Sequence, residues 1–209
     1  IMAISTYTEL KTAVANWLDR DDLTDRIPEF IALAEARMNR VLRLRMMEFK
    51  YTASTVGAQR NYALPTGYLQ MRNFQLNTSP ITTLSYVSPE IFDRLWGGST
   101  GGTPQFYTIL ANEIQLGPIP ASVQTMEMLF YKKITALSST NLTEQMLTDN
   151  PDIYLYGALL EAEPFIMNDE RVSLWALGFE KAVANLQEQD NKDRHSGSAL
   201  RVMNTGGYY

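Results

Sequence analysis

Few side chains in this sequence are of the kind that performs catalysis, and they do not form a site. The single histidine is His195, and the absence of cysteine excludes thiolate nucleophiles, disulfides and Cys-ligated metals. His195 lies in a segment rich in Gly, Ser and Asn, so a Ser/His/Asp triad or a histidine metal site would lack rigid support. We therefore predict no catalytic, cofactor-binding or metal-binding residues, and a protein that is not an enzyme.

Carboxylates offer a second chemistry, the paired acid and base of polysaccharide hydrolysis. The candidates are Asp149, Asp152, Glu161 and Glu163. Glu161 and Glu163 are two residues apart, so on a helix they point in different directions. We expect them to pair with Arg or Lys at the edge of a helical bundle. A wall-degrading hydrolase is accordingly a weaker alternative.

The glycine-rich stretch at residues 97–102 invites comparison with phosphate-binding loops. It lacks the Gly-Lys-Ser/Thr ending of such loops and is followed by Thr103-Pro104 rather than by a helix. The pattern favours a mobile connection in a β region that contacts a neighbouring subunit.

Four arginines, Arg37, Arg40, Arg43 and Arg45, cluster at the end of a predicted helix. One or two cations are enough to offset the negative end of a helix. The others could form a patch for an acidic partner surface or for passing DNA, and the sequence does not separate these possibilities.

Composition narrows the class of protein. The chain has 209 residues, is 45% apolar and carries a formal net charge of -5. That charge argues against tight DNA binding, which needs a basic surface, and makes a DNA-binding regulator the weaker reading of the arginines. No apolar run approaches the roughly 20 residues that span a bilayer, so we expect no membrane association.

Two amphipathic helices are predicted near the start. The first, at residues 6–18, begins with the capping box Thr6-x-x-Glu9, and its apolar stripe is Leu10, Val14, Trp17 and Leu18. The second, at residues 27–44, has the stripe Ile27, Phe30, Ile31, Ala34, Met38, Val41 and Leu42.

Between residues 47 and 132 the apolar residues follow period two, which predicts short antiparallel strands. One small helix is predicted after Ser88-Pro89, and a turn at Ala111-Asn112. Several tyrosines stand outside the predicted core stripes and suit interfaces: Tyr62, Tyr68, Tyr107, Tyr131, Tyr208 and Tyr209.

The last third returns to helices. The one that starts at Asn150-Pro151 is apolar on two sides and should be buried, with a break at Pro164. The next runs over residues 169–189. We thus predict an α+β fold: a helical bundle of residues 2–45 and 146–190, an inserted antiparallel β lobe at 46–145, and an extended tail at 191–209 that is either disordered or ordered by a partner.

Five segments in this order resemble the head-to-tail adaptor (connector) proteins of short-tailed bacteriophages. They are 23–40 (LTDRIPEFIALAEARMNR), 62–68 (YALPTGY), 102–107 (GTPQFY), 116–120 (LGPIP) and 150–165 (NPDIYLYGALLEAEPF) with 169–171 (DER). The likeness covers roughly residues 6–200.

The resemblance implies a homo-oligomeric ring of twelve copies in the virion neck, assembled in the host cytoplasm, that joins the portal protein to the tail nozzle. DNA would pass through it during ejection with transient, non-specific contact. The tail residues expected to reach the portal are His195, Leu200, Arg201, Val202, Met203, Tyr208 and Tyr209. Another phage neck or tail-completion protein is the main alternative.

Overall fold

The structure, a computed structural model, describes residues 4–98, 101–166 and 170–194. The chain divides into two compact units, a helical one built from residues 1–46 and 134–209 and a β-rich one built from residues 47–133. The β-rich unit is therefore an insertion in the sequence of the helical unit.

The helices are α1 Tyr7–Leu18, α2 Ile27–Val41, α3 Pro89–Trp96, α4 Gln145–Asp149, α5 Pro151–Glu161, α6 Glu163–Ile166 and α7 Val172–Arg194. Two 3-10 helices, Asp21–Arg26 and Arg45–Met47, precede α2 and β1. The strands are β1 Glu48–Ser54, β2 Asn61–Ala63, β3 Tyr68–Leu76, β4 Thr82–Thr83, β5 Ser85–Tyr86, β6 Gly101–Gly102, β7 Phe106–Leu110, β8 Glu113–Gly117, β9 Ile119–Pro120 and β10 Thr125–Lys132. The α+β class predicted from the sequence is confirmed.

α5 lies at the centre of the helical unit. It packs against α1, α2 and α7, and its side chains are buried on every side, as its continuous apolar sequence predicts. Each large apolar side chain buried in this way stabilises the fold by about 1.5–3 kcal/mol. Gly157 permits the close approach, because a Cβ atom there would lie 3.1 Å from Ala34 of α2 and 3.3 Å from Phe179 of α7.

Local signals in the sequence set the ends of several helices. Thr6 accepts a hydrogen bond from the Glu9 amide at 3.3 Å, and Glu9 accepts one from the Thr6 amide at 3.0 Å, so the capping box is confirmed. α5 ends at Glu161, and Pro164 lies in the separate short helix α6, as the predicted break requires.

Two residues of the predicted apolar stripes are not in the core. Trp17 is 45% exposed in the last turn of α1, where its ring meets the Tyr156 ring edge-on with the ring centroids 5.9 Å apart. Val41 is 48% exposed in the last turn of α2, and α2 ends there rather than at residue 44 because Leu42 adopts an extended conformation. The periodicity correctly predicted which side of each helix faces the core. It did not predict that neighbouring elements leave these two residues, each in the last turn of its helix, exposed.

The β-rich unit contains two four-stranded sheets that share one core. Their strand orders are β1-β10-β3-β4 and β2-β8-β7-β5, and most pairs are antiparallel. The parallel pairs are β5 with β7 and β6 with β9, each two residues long, which the expectation of an antiparallel lobe did not include. The shared core takes Phe74, Met128 and Phe130 from the first sheet and Ile114 and Leu116 from the second.

The predicted small helix and the glycine-rich stretch both belong to this unit. α3 seats Phe92 and Trp96 over Gly117, where a Cβ atom would lie 2.8 Å from the Phe92 ring. Gly101 and Gly102, predicted to be loop, form the short strand β6, because glycine lets this backbone approach Pro118 and Ala121 closely. Residues 99–100 of the stretch lie outside the described residues.

The observed boundaries differ from those expected for the bundle, the lobe and the tail. Residues 134–145, expected in the β lobe, belong to the helical unit. Residues 191–194, expected in the tail, complete α7, because Asp193 and Arg194 form ion pairs that hold its last turn in place. Residues 195–209 lie outside the described residues.

Two side chains of α2 hold the segment that follows the β-rich unit. Glu35 accepts a hydrogen bond from the Leu137 amide at 2.9 Å, and four residues later Asn39 accepts one from the Ile134 amide at 2.9 Å. Glu35 is only 5% exposed. Burial raises the pKa of Glu35 to about 7, against the Leu137 hydrogen bond, which lowers it, and with the charge of Glu144 adding to the rise.

Glu35→Gln should therefore stabilise the protein at alkaline pH but not at acid pH. The folded pKa of Glu35 lies above its ordinary value of 4.5, so the folded state binds more protons and the wild type loses stability as pH rises from about 4.5 to about 7. Glutamine keeps an oxygen for the Leu137 amide and carries no charge. The gain above pH 8 should be on the order of 2 kcal/mol, measured from urea unfolding midpoints.

The matched control is Glu29→Gln, an exposed glutamate on the same helix that pairs with Arg26 across one turn. Its effect should not grow over the same pH range. A constant difference between Glu35→Gln and wild type from pH 4 to pH 8 would contradict the account of Glu35.

Candidate interaction surfaces

The predicted arginine patch is largely engaged within the helical unit. The Arg37 Nε lies 2.6 Å from the Glu161 Oε1, an ion pair that joins α2 to α5. Glu161 thus has the role expected from the sequence, a carboxylate at the bundle edge that pairs with an arginine. This pair is unavailable to an acidic partner or to DNA unless it opens.

Arg43 serves the end of α2. Its Nη1 donates to the carbonyl oxygens of Asn39 at 2.9 Å and Leu42 at 2.5 Å, two acceptors that the helix leaves unsatisfied. A cation in this position also offsets the negative end of the helix. Of the two readings of the arginines, helix-end stabilisation accounts for Arg43.

Arg45 joins the region after α2 to the last turns of α7. Its backbone amide donates to the Asp190 Oδ1 at 2.8 Å, and its Nη2 lies 3.4 Å from the Asp193 Oδ2. Arg194 donates to the other Asp190 oxygen at 2.7 Å. Arg45, Asp190, Asp193 and Arg194 are called the Asp190 cluster below.

Opposing effects act on the pKa of Asp190. Its partial burial raises the pKa, but hydrogen bonds from the Arg45 amide and from Arg194, with the charges of both arginines, hold it below the ordinary value. The carboxylate is therefore ionised at neutral pH and fixes the end of α7.

Arg40 differs from its three neighbours. It is exposed on α2 and has no hydrogen bond or ion pair with any residue that the structure describes. The sequence suggested that all four arginines could form a surface that binds an acidic partner or passing DNA. Of these four arginines, Arg40 alone has a side chain that makes no hydrogen bond or ion pair within the described residues.

The predicted tail contacts fall outside the part of the chain that the structure describes. They are His195, Leu200, Arg201, Val202, Met203, Tyr208 and Tyr209.

Most of the other tyrosines predicted to suit interfaces are not exposed. Tyr62, Tyr107 and Tyr131 are buried, and Tyr68 is half-buried. Tyr62 uses its hydroxyl to bind the backbone of residues 56 and 59, so its polar end has a structural role.

Two exposed apolar patches were missed by the sequence reasoning. On α7, Leu174 and Leu177 are 65% and 62% exposed. On α3, Ile91 and Leu95 point outward while Phe92 enters the core. A signal was available for two of them: Leu174 and Ile91 each lie one position away from a buried aromatic residue, Trp175 and Phe92, which places them off the core-facing stripe of their helix.

A groove of about 600 Å³ opens beside the middle of α7, between residues 176 and 187. Its apolar walls are Val41 of α2, Leu160 of α5, and Ala176, Phe179, Val183 and Ala184 of α7. This α7 groove explains why Val41 is exposed despite its place on the apolar stripe of α2.

The four carboxylates considered for hydrolysis are either paired with an arginine or exposed. Glu161 is held by Arg37, and Asp149, Asp152 and Glu163 are exposed. The acid of such a pair is a carboxyl group buried from water, whereas these three side chains are exposed.

The described residues contain neither a candidate metal site nor a helix that could span a membrane. They contain no group of three or more His, Asp or Glu side chains placed to hold a metal ion. None of the helices in this part of the chain is long and apolar enough to cross a membrane.

The fold and these surfaces define an α+β protein with an inserted β-rich unit, whose charged side chains mostly join one helix to another. The chain matches the family model for the SU10 adaptor protein over residues 5–203. It belongs to this family, a family of phage head-to-tail adaptors, so the resemblance seen in the sequence is confirmed. No curated protein matches the chain.

Asp190→Asn should loosen the end of α7. Asparagine keeps one acceptor for the Arg45 amide but leaves both arginines of the Asp190 cluster without its charge, so we expect a loss of about 1–3 kcal/mol in the free energy of unfolding at pH 7. Amide hydrogen exchange should accelerate over residues 186–194. The folded pKa is lowered, so the difference from wild type should close as pH falls below about 4.

Glu188→Gln is the matched control on the same stretch of α7. Glu188 pairs with Lys192 at 2.6 Å, but both side chains are exposed, so its loss should leave stability and exchange unchanged. Equal effects from the two variants would contradict a specific role for Asp190.

Proposed function

We propose that this protein forms a ring that connects the phage portal to the tail and lets DNA pass through. The observation that carries the proposal is membership of the SU10 adaptor family over nearly the whole described chain. Membership of that family implies a component of the virion neck with portal and tail partners and more than one copy. Assembly in the host cytoplasm before incorporation into the virion is part of the proposal.

The proposed ring has twelve copies, a number that comes from the family resemblance alone. Neighbouring copies in a ring meet through two different patches, because the contact is head to tail rather than self-complementary. The chain offers two exposed apolar pairs that suit such contacts, Leu174 with Leu177 on α7 and Ile91 with Leu95 on α3. Exposed apolar residues that cluster commonly mark protein interfaces.

The proposed portal contact is the segment at residues 195–209. It combines apolar residues at 199–203 with Tyr208 and Tyr209, and tyrosine is favoured at interfaces because its ring is apolar and its hydroxyl is polar. A segment that becomes ordered on its partner contributes binding energy only in the partner's presence.

DNA passage needs a surface that does not hold DNA tightly. A net charge of -5 opposes adsorption of the phosphate backbone. Arg40 is the proposed point of transient, non-specific contact, since its three neighbours are engaged in ion pairs or hydrogen bonds inside the helical unit. The protein is proposed to act without catalysis and without a cofactor.

The proposal predicts a complex with the portal. Purified protein mixed with the portal ring of its own phage should give a ring-on-ring complex whose mass and symmetry are read by native mass spectrometry and negative-stain imaging. Deleting residues 195–209 should abolish attachment. The deletion starts at 195 rather than 191 because Asp193 and Arg194 belong to the Asp190 cluster.

The control is a chain whose residues 195–209 are scrambled, which preserves length and composition. Scrambled protein should also fail to attach, while both variants keep the circular dichroism and melting temperature of the wild type. Binding to isolated tail components instead of the portal would reassign the protein to another neck or tail-completion role.

The isolated protein is expected to be a monomer that assembles on the portal, because the tail contributes binding energy to assembly only when the portal is present. Sedimentation velocity should show one species near the mass of a single chain, 23.7 kDa, in the absence of portal. Stable rings of purified protein without portal would contradict assembly on the portal template.

A further inference from the structure

The α7 groove is a half-open apolar surface that no described residue fills. Val41, which the sequence assigns to the core, is 48% exposed in it. An apolar groove of about 600 Å³ is large enough for several side chains of a peptide segment. Its occupant should therefore be apolar and extended enough to follow α7.

The rim of the α7 groove is acidic, which favours a positively charged occupant. Glu163 and Glu180 are exposed at its edge, and neither has an ion pair or hydrogen bond with a residue in the described ranges. Arg37, the basic residue of the lining, is already paired with Glu161. The groove thus favours an occupant that carries a positive charge among apolar residues.

We propose that residues 199–203 of the same chain dock in the α7 groove. This segment, Ala-Leu-Arg-Val-Met, is apolar apart from Arg201, and residues 195–209 contain no acidic residue. Arg201 therefore complements Glu163 and Glu180. The family match extends to residue 203, so this segment belongs to the same family pattern as the helices.

The length of chain after α7 fits this assignment. Eight residues separate Arg194 from Val202, which gives a reach of about 26 Å. Ala184 lies ten residues back along α7, about 15 Å from Arg194, and Glu180 about 21 Å. Gly197, between two serines, allows the chain to reverse after the helix.

Docking in the groove has a consequence that rests on the proposed function. Residues 199–203 are then covered in the free subunit and must leave the α7 groove before the tail can bind the portal. The groove and the portal compete for the same segment, which keeps the tail from binding other surfaces before assembly.

Disulfide trapping tests the docking cleanly because the chain has no cysteine. In the full-length double variant Ala184→Cys with Val202→Cys, a glutathione redox buffer should form an intramolecular disulfide, detected by mass spectrometry as a monomer. The matched control is Asn185→Cys with Val202→Cys, one residue further along α7 and turned about 100° away from Ala184. The Ala184 pair should form its disulfide about tenfold faster or more.

A charge exchange in the Ala184→Cys, Val202→Cys background tests the role of the acidic rim. Adding Glu180→Lys should slow disulfide formation about two- to fivefold, the factor that a surface ion pair is worth. Adding Arg201→Glu to that variant should restore the rate, since the opposite charges then face each other again.

Equal rates for the Ala184 and Asn185 pairs would overturn the proposal, as would disulfide-linked dimers that form in place of cross-linked monomers. Dimers would assign the α7 groove to a second copy of the chain. These outcomes do not depend on the portal. Separately, the cross-linked monomer should bind the portal only after reduction; portal binding by the uncross-linked protein tests the proposed function itself.

Discussion

The helical unit depends on one constraint, the burial of a helix that is apolar on every side. α5 exposes almost none of its middle turns, so it is stable only when other helices surround it. Those helices come from both ends of the sequence, α1 and α2 before the β-rich unit and α7 after it. Gly157 lets α2 and α7 approach α5 closely enough to exclude water.

The polar contacts of α2 reinforce this arrangement. Glu35 and Asn39 hold the returning segment, Arg37 pairs with α5, and Arg45 pairs with the end of α7. Each contact joins α2, or in the case of Arg45 the residues just after it, to a part of the chain that follows the insertion. The cost is a buried carboxylate whose pKa is raised to about 7, so the segment after the β-rich unit is held by a group that titrates near neutrality.

In a phage adaptor, pairing the charged side chains with one another inside the helical unit has a consequence for function. In the proposed ring, a subunit must hold its own shape while it presents different surfaces to its neighbours, to the portal and to DNA. Under that proposal, arginines that are paired inside the helical unit are not free to retain DNA, and the exposed apolar pairs on α3 and α7 remain for protein contacts. The proposed docking in the α7 groove would link the position of the tail to the assembly state of the subunit.

The sequence by itself determined the types of most elements, the capping box of α1, the break before Pro164, the α+β class and the family. These are local properties: apolar spacing, caps and turns report the backbone conformation of neighbouring residues. Only the tertiary structure decided which charges are engaged, because Arg37 meets Glu161 across 124 positions and the Arg45 amide meets Asp190 across 145. It also decided that Val41 and Trp17 are exposed and that Glu35 is buried. A helix periodicity gives the direction of a side chain, but whether another element covers it depends on packing between residues far apart in the sequence.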